Sequence, residues 1–174
     1  MFNDLSRFNS TRDYFPIIVA GLIVDMIVLC LILVGSIRLK SLNQWYNDFQ
    51  LLAVVADVFS IVIGIIIARF IYSFFFKSYS LVTFLLLVCG VQVGHDLLFA
   101  AFFNGVPRNK SKILDVFKDY AKEGGFKILG VDAIMMISTV LLGSYLATWD
   151  LNSIIILTIV CMYILPYLIY SIKA

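Results

Sequence analysis

Charged residues are scarce in this sequence of 174 residues, since aspartate, glutamate, lysine and arginine together make up 14% of it. A soluble globular domain usually has about 25% charged and about 45–50% apolar residues, whereas apolar residues make up 62% here. The mean hydropathy is +1.01. These values argue against a soluble domain and indicate an integral membrane protein. The net charge of +2 is too small to indicate a nucleic-acid partner.

Residues that bind metals are few, and the motifs of several known catalytic and binding sites are missing. The chain has one histidine and three cysteines, and no two cysteines form a CxxC pair, so thiol redox chemistry and a cysteine-based zinc site lack support. One histidine with carboxylates is a poor set of metal ligands. There is no Gly-rich phosphate loop, no G-x-S-x-G, no H-E-x-x-H and no potassium-channel filter. We therefore expect no metal, no cofactor and no enzymatic activity.

Five apolar runs are long enough to cross a membrane, which takes about 20 residues of helix. They lie at about residues 15–37, 49–76, 81–103, 126–147 and 151–172. Because each run is continuous, with no alternation of apolar and polar residues, the runs predict helices and not the strands of a barrel. We expect a single all-α domain over residues 1–174, a polytopic transmembrane helical bundle of five spans.

The one sizeable polar segment, residues 104–127, predicts an amphipathic surface helix between spans three and four. Ser111 is a plausible N-cap and Gly124-Gly125 is a stop signal, which places the helix at about residues 111–123. Its apolar residues recur on one face. Two interpretations stay open, a connector lying at the membrane interface and a docking surface for a partner protein. The docking residues would be Lys112, Phe117, Lys118, Tyr120 and Lys122.

Lysine and arginine are distributed unevenly between the two sides that five spans define. One side has Arg7, Arg12 and Lys77. The other side has Arg38, Lys40, Arg108, Lys110, Lys112, Lys118, Lys122, Lys127 and Lys173. By the positive-inside rule, this asymmetry predicts an N-terminus that is outside or lumenal and a C-terminus in the cytoplasm.

Polar side chains inside the spans are costly in lipid unless they meet partners. At a rise of about 1.5 Å per residue, most of them fall in one layer about 8–13 Å below the inner surface. The layer predicts a polar cluster between spans two, three and four. Its members are Asp57, Gln92, His95, Asp96 and Asp132, of which the middle three share one helix face.

A second polar group consists of Asp25 in the first span and Arg69 near the outer end of the second. Arg69 would either extend its side chain to the outer surface or pair with Asp25 across the bundle.

The polar cluster has several readings that the sequence leaves open. It could be a proton or cation pathway, with Asp57, Asp96 and Asp132 as carriers and His95 titrating near neutral pH. It could hold a metal or perform enzyme chemistry, for which the sequence gives little support. It could also serve packing alone, since buried polar groups that bond one another are satisfied.

The stretch HDLLFAAFFNGVPRNKSKILDVFKDYAKEGGFKILGVDAIM, residues 95–135, resembles small polytopic membrane proteins of large icosahedral DNA viruses of algae and protists. The matching features are the His95-Asp96 pair, Pro107 with Asn109, the surface helix and Asp132 at the start of the next span. The resemblance implies a structural role in a membrane beneath a capsid, with polar segments presented to capsid proteins.

The first expectation is therefore a non-enzymatic membrane protein with a structural or scaffolding role, in a host or virion membrane. The alternative is a proton- or cation-conducting channel or transporter. The expected partners are the lipid bilayer, capsid or other membrane proteins, and further copies of the chain.

Overall fold

The computed structural model describes residues 3–172, and within them the chain is helical with no strand. Five helices in this described range are long and apolar enough to cross a membrane. They are α1 (Tyr14–Leu33), α3 (Leu51–Phe75), α4 (Leu81–Gly105), α6 (Lys127–Leu146) and α7 (Leu151–Ile169). Two shorter helices are α2 (Lys40–Phe49) and α5 (Lys112–Gly124), and a 3-10 turn covers Thr11–Asp13. The prediction of an all-helical chain with five long apolar helices is confirmed.

Local sequence signals set several helix ends. The side chain of Ser111 accepts from the backbone N–H of Leu114 at 3.4 Å and caps α5, as predicted. Gly125 follows α5 with a φ of 56°, and Gly35 follows α1 with a φ of 74°. Glycine adopts this left-handed conformation without the steric cost that a Cβ brings. Lys173, counted in the charge distribution, lies outside the described residues.

Helix α1 is the centre of the bundle and packs against α3, α6 and α7, while α4 packs against α3 and α6. Close approach of α1 and α6 depends on Gly143. A Cβ at that position would lie 3.5 Å from the backbone Cα of Ile17, so the two backbones are almost in contact. Ile17 and Ala20 are 0% exposed at this contact.

The two ends of the bundle are covered by different parts of the chain. At the end where α1 finishes and α3 begins, α2 and α5 pack against each other, and α5 also packs against α4. We call α2 and α5 together the α2–α5 pair. At the opposite end, the backbone N–H of Asn3 donates to the carbonyl of Ser144 at 3.1 Å, and Leu5 is 0% exposed.

Helix α2 corrects the sequence-based picture, which had only a loop between the first two spans. The amphipathic helix α5 was predicted, but α2 was not. The reason is its polar, ten-residue sequence KSLNQWYNDF, since a helix that short is marginal without tertiary contacts.

Candidate functional site

Tyr46, on α2, joins two aspartates that belong to different long helices. Its hydroxyl oxygen lies 2.8 Å from Oδ1 of Asp25 on α1 and 3.0 Å from Oδ2 of Asp57 on α3. The indole Nε1 of Trp45 donates to the same Oδ2 of Asp57 at 3.0 Å. Asp25 is 0% exposed and Tyr46 is 1% exposed. We call Asp25, Tyr46 and Asp57 the Asp–Tyr–Asp triad.

The chain positions the triad through a close helix contact and a tight turn. Gly21, one helical turn before Asp25, lets α1 approach α3, because a Cβ there would lie 3.5 Å from Cγ1 of Val58. Gln50 separates α2 from α3 and has a φ of 48°, a conformation that is uncommon for residues other than glycine. This turn brings the end of α2 back against the part of α3 where Asp57 lies.

Glu123 at the end of α5 caps the beginning of α2. Its carboxylate accepts from the backbone N–H groups of Lys40 and Ser41, each at 2.8 Å, and from Oγ of Ser41 at 2.5 Å. The first N–H groups of a helix have no partner within the helix, so this contact supplies one. The hydrogen bonds from Ser41 and from the Lys40 backbone lower the pKa of Glu123 below its ordinary value, which keeps the cap charged at neutral pH.

Two further contacts join α2 to α5 along their length. Nζ of Lys112 lies 3.4 Å from Oδ2 of Asp48, at the end opposite to Glu123. The rings of Trp45 and Phe117 lie 4.8 Å apart between their centroids. The two helices are therefore bound to each other at both ends and in the middle, in antiparallel orientation.

Tyr120 on α5 faces carboxylates of three long helices. Burial raises the pKa of its hydroxyl above the ordinary value, and the nearby Asp132, Asp57 and Asp96 raise it further. These three aspartates, expected from the sequence to share one layer, therefore lie within electrostatic range of one side chain. Over residues 3–172, no three His, Cys, Asp or Glu side chains come together closely enough to hold a metal ion.

Gln92 holds Asp96 in place from one helical turn away. Its Nε2 donates to Oδ1 of Asp96 at 2.7 Å, and Gln92 itself is 5% exposed. The other carboxyl oxygen of Asp96, Oδ2, is buried without a hydrogen-bond partner. A buried carboxyl oxygen of this kind is costly when it carries charge.

His95 lies at the edge of the predicted cluster and not inside it. Its side chain is 49% exposed, with Nδ1 3.2 Å from Oδ1 of Asp96. The imidazole stacks on the ring of Phe99 at 5.9 Å between centroids. The rotation of α4 thus buries Gln92 and turns His95 toward the outer surface of the bundle.

Arg69 and Asp25, grouped together on sequence grounds, lie in separate sites. Arg69 is 0% exposed and its Nη2 donates to Oδ2 of Asp13 at 3.2 Å and to the carbonyl of Ser10 at 2.9 Å, as well as to the carbonyl of Arg7. Neither expected arrangement, a pair with Asp25 or an extended side chain at the surface, is present. The residues before α1 fold over the end of α3 and supply the counter-charge instead.

Four of the five candidate docking residues on α5 have partners inside the protein. Lys112 and Phe117 contact α2, and Tyr120 faces the aspartates, as described above. Lys118 donates to a backbone carbonyl just after α4. Lys122 is exposed. The apolar face of α5 is thus directed toward α2 and the bundle.

No family model, curated protein or solved structure matches the chain. The function is therefore inferred from the chemistry of the site alone.

The hydrogen atoms available to the triad decide what it can do. A phenol has one hydrogen to donate, but two carboxyl oxygens lie within hydrogen-bond distance of Tyr46. Because Asp57 already accepts from Trp45, it is the better place for the negative charge. If Asp25 carries a proton, it donates to Tyr46 and Tyr46 donates to Asp57, so that every short contact contains one hydrogen. The triad is complete only when it binds one acidic proton.

The sequence analysis did not identify Trp45, Tyr46 or Glu123. A signal for α2 exists in the spacing of Leu42, Trp45 and Phe49, which are three and four residues apart and fall on one helix face. Glu123 has no comparable signal, because it lies 82 residues from the Ser41 that it caps.

Proposed function

We propose that the protein is a membrane-embedded proton channel or transporter that uses the Asp–Tyr–Asp triad. The observation that supports this most strongly is the single hydroxyl between the carboxyl group of Asp25, which is buried, and that of Asp57, which is partly buried. Such a group can bind one proton and also hand it on, because Tyr46 both accepts and donates. Ionisable groups buried inside candidate spans are functional-site candidates for this reason.

The transfer step needs no outside reagent. The O–H bond of Asp25 breaks as its proton moves to the oxygen of Tyr46, while the hydrogen of Tyr46 moves to Asp57. One O–H bond forms for each that breaks, and the negative charge passes from Asp57 to Asp25. Burial, with Asp57 and Asp25 close by, raises the pKa of Tyr46 well above its ordinary value. The phenol is therefore protonated at neutral pH before and after each transfer.

Asp96 and Asp132 are the next proton acceptors along the proposed path. Both lie within electrostatic range of Tyr120, together with Asp57. Asp96 and Asp132 lie near the end of the bundle that the α2–α5 pair covers, and they are the carboxyl groups next to the triad. His95 contacts Asp96 at the surface of α4.

In this proposal the five long helices cross the membrane with the α2–α5 pair on the cytoplasmic side. The end with this pair has exposed basic side chains on both connecting segments. They are Arg38, Lys40, Arg108, Lys110, Lys112, Lys122 and Lys127. An excess of lysine and arginine is typical of cytoplasmic loops.

Proton uptake by vesicles tests the function directly. The purified protein is reconstituted into liposomes containing a pH-sensitive dye, and a potassium gradient with valinomycin supplies the driving voltage. We expect acidification above that of protein-free vesicles. We expect Asp57→Asn to lose this excess flux, because an amide cannot carry the transferred proton.

The matched control is Asp150→Asn, which replaces an exposed carboxylate that caps α7 at the other end of the bundle. It should conduct like the unchanged protein. Equal flux in Asp57→Asn and Asp150→Asn, or no flux in the unchanged protein, would reject the proton pathway. Repeating the assay with a sodium-sensitive dye in place of the pH-sensitive dye distinguishes cation conduction.

A structural role is the second candidate, in which the protein is a non-enzymatic membrane scaffold that docks to a capsid or other partner protein. An exposed corner after α5 favours it. Phe126 is 88% exposed between Lys122 and Lys127, which are exposed as well. An aromatic ring beside two lysines suits an acidic surface on a partner protein.

This second candidate predicts a partner contact at residue 126. A photo-crosslinking residue at that position, in the membrane where the protein naturally resides, should capture one defined neighbour. Lys122→Glu combined with Lys127→Glu should abolish that crosslink by charge repulsion, whereas Lys77→Glu at the opposite end should leave it. A crosslink that survives the double reversal rules out docking through this corner.

A further inference from the structure

Within the α2–α5 pair, helix α2 makes its polar contacts with the long helices at the triad. Glu123 and Lys112 bind the two helices to each other and not to the long helices. The polar contacts from α2 into the bundle are those of Tyr46 and Trp45 with the carboxyl groups of Asp25 and Asp57. The protonation state of the triad therefore acts on the attachment of α2.

The surroundings of Asp25 are a second reason to expect that its carboxyl group is protonated. Asp25 is 0% exposed, and its Oδ2 has no hydrogen-bond partner. An ionised carboxylate in that position would have one oxygen wholly without a donor, away from solvent. A buried charge without partners is far more costly than a neutral acid.

We propose that Asp25, Tyr46 and Asp57 share one exchangeable proton, and that this proton holds α2 against the bundle. Loss of the proton to water leaves two carboxylates facing one phenol hydrogen. One of the two oxygen–oxygen contacts then has no hydrogen in it, and the attachment of α2 to α1 or to α3 is lost. The inference rests on the proposed function, since it states how the same site would open toward the cytoplasm.

The charged and titratable groups around the triad come from every neighbouring element. Asp96 from α4, Asp132 from α6 and Tyr120 from α5 lie on the side of Asp57. These carboxylates add negative charge next to the triad, so they also favour the protonated form. Asp48, Lys112 and Glu123 lie in contacts between α2 and α5, where they preserve the pair while its attachment to the bundle changes.

The sign of the pH dependence follows from this arrangement. At low pH the triad has its proton and α2 is attached to both α1 and α3. As the pH rises, the triad loses this proton and the attachment is lost. Tyr46 is not the group that titrates, because its own pKa is raised well above the ordinary value by burial and the two carboxylates. Opening therefore requires alkaline conditions relative to the closed state.

Trp45 reports the attachment, because its indole is 4% exposed and donates to the triad. Trp149→Phe removes the other tryptophan of the chain and leaves Trp45 as the only source of tryptophan emission. The protein is titrated in liposomes from about pH 4 to about pH 9, a range between the ordinary pKa values of aspartate and tyrosine. We expect a reversible red shift of the emission and a several-fold rise in acrylamide quenching as the pH rises.

Two variants in the Trp149→Phe background identify the proton. Asp25→Asn offers an amide hydrogen to Tyr46 at every pH, so its emission should match the low-pH form throughout. Tyr46→Phe should give the red-shifted emission at every pH. Asp150→Asn should titrate like the parent. If a variant fails to fold by circular dichroism, the pH titration of the Trp149→Phe protein alone still decides.

Unchanged Trp45 emission and quenching over the whole range would overturn the inference, as would an unaltered transition in Asp25→Asn. The failure of the proposed function is a separate outcome. An emission transition without proton flux would support the shared proton and reject transport. Flux without an emission transition would support transport and reject the control of α2 by the proton.

Discussion

Asp13→Ala is expected to lower the free energy of unfolding by about 3–5 kcal/mol, because it leaves a buried guanidinium without its counter-charge. Arg69 is 0% exposed and Asp13 is 5% exposed, so water cannot replace the missing carboxylate. Nε and Nη1 of Arg69 have no hydrogen-bond partner even in the native protein. The carbonyls of Arg7 and Ser10 would be the remaining acceptors, and neither of them carries a charge.

The measurement is thermal or denaturant unfolding in detergent, followed by circular dichroism. Asp119→Ala is the matched control, since Asp119 pairs at 2.6 Å with Arg108 and both side chains are about half exposed. Exposed pairs of that kind contribute up to about 1 kcal/mol. Combining Asp13→Ala with Arg69→Met should recover much of the loss, because both charges are then absent. If Asp13→Ala costs no more than Asp119→Ala, the buried pair does not stabilise this end of the bundle.

The five long helices were predictable from the sequence because length and hydropathy are local properties of the chain. Each apolar run corresponds to one long helix, with end points that differ by a few residues. The first run was placed at about residues 15–37, but α1 ends at Leu33 because Gly35 turns the chain with a φ of 74°. Hydropathy alone does not identify such a turn, since Leu33 and Val34 before it and Ile37 after it are apolar.

Helix α2 could not be predicted with the same methods, because its stability comes from distant parts of the chain. Its first N–H groups are capped by Glu123, and Trp45 packs on Phe117. Both contacts join segments far apart in sequence. The spacing of apolar residues in 40–49 marks one face of a helix, but does not reveal what that face contacts.

The acidic site was predicted in part. The depth of Asp57, Asp96 and Asp132 along their helices was sufficient to expect them in one layer, and all three lie within electrostatic range of Tyr120. Depth does not fix the rotation of a helix about its axis. His95 was therefore expected inside the cluster, whereas its side chain is 49% exposed. Asp25 was assigned to another group, since its hydrogen-bond partner Tyr46 belongs to the unpredicted helix α2.

The contacts of α5 limit which of its residues a docking role can use. The scaffolding role relied on a free apolar face of α5, with Phe117 and Tyr120 available to a partner. That face now has partners in α2 and in the aspartates. A docking role must therefore use the corner around Phe126, whereas the proton pathway has gained a hydrogen-bonded group that connects α1 with α3.

Trp45→Ala is expected to have the second large effect on stability, about 3–5 kcal/mol, the usual cost of removing a buried aromatic side chain. The indole lies between the rings of Phe49 and Phe117, at 4.9 Å and 4.8 Å, and its N–H bonds to Asp57. Its removal leaves a cavity between α2 and α5 and takes a donor away from a carboxyl group. Trp149→Ala is the matched control, since Trp149 is 40% exposed at the other end of the bundle.

Unfolding of both variants in the same detergent gives the comparison, with Trp45→Phe as a third. Phenylalanine keeps one ring of the packing but lacks the N–H, so its cost combines lost packing with the bond to Asp57, which contributes about 1.5–3 kcal/mol as a hydrogen bond to a charged group. If Asp57 is ionised and Asp25 carries the shared proton, Trp45→Phe should also favour transfer of the negative charge away from Asp57. Equal costs for Trp45→Ala and Trp149→Ala would mean that α2 adds little to the folded bundle, and that the triad cannot control it.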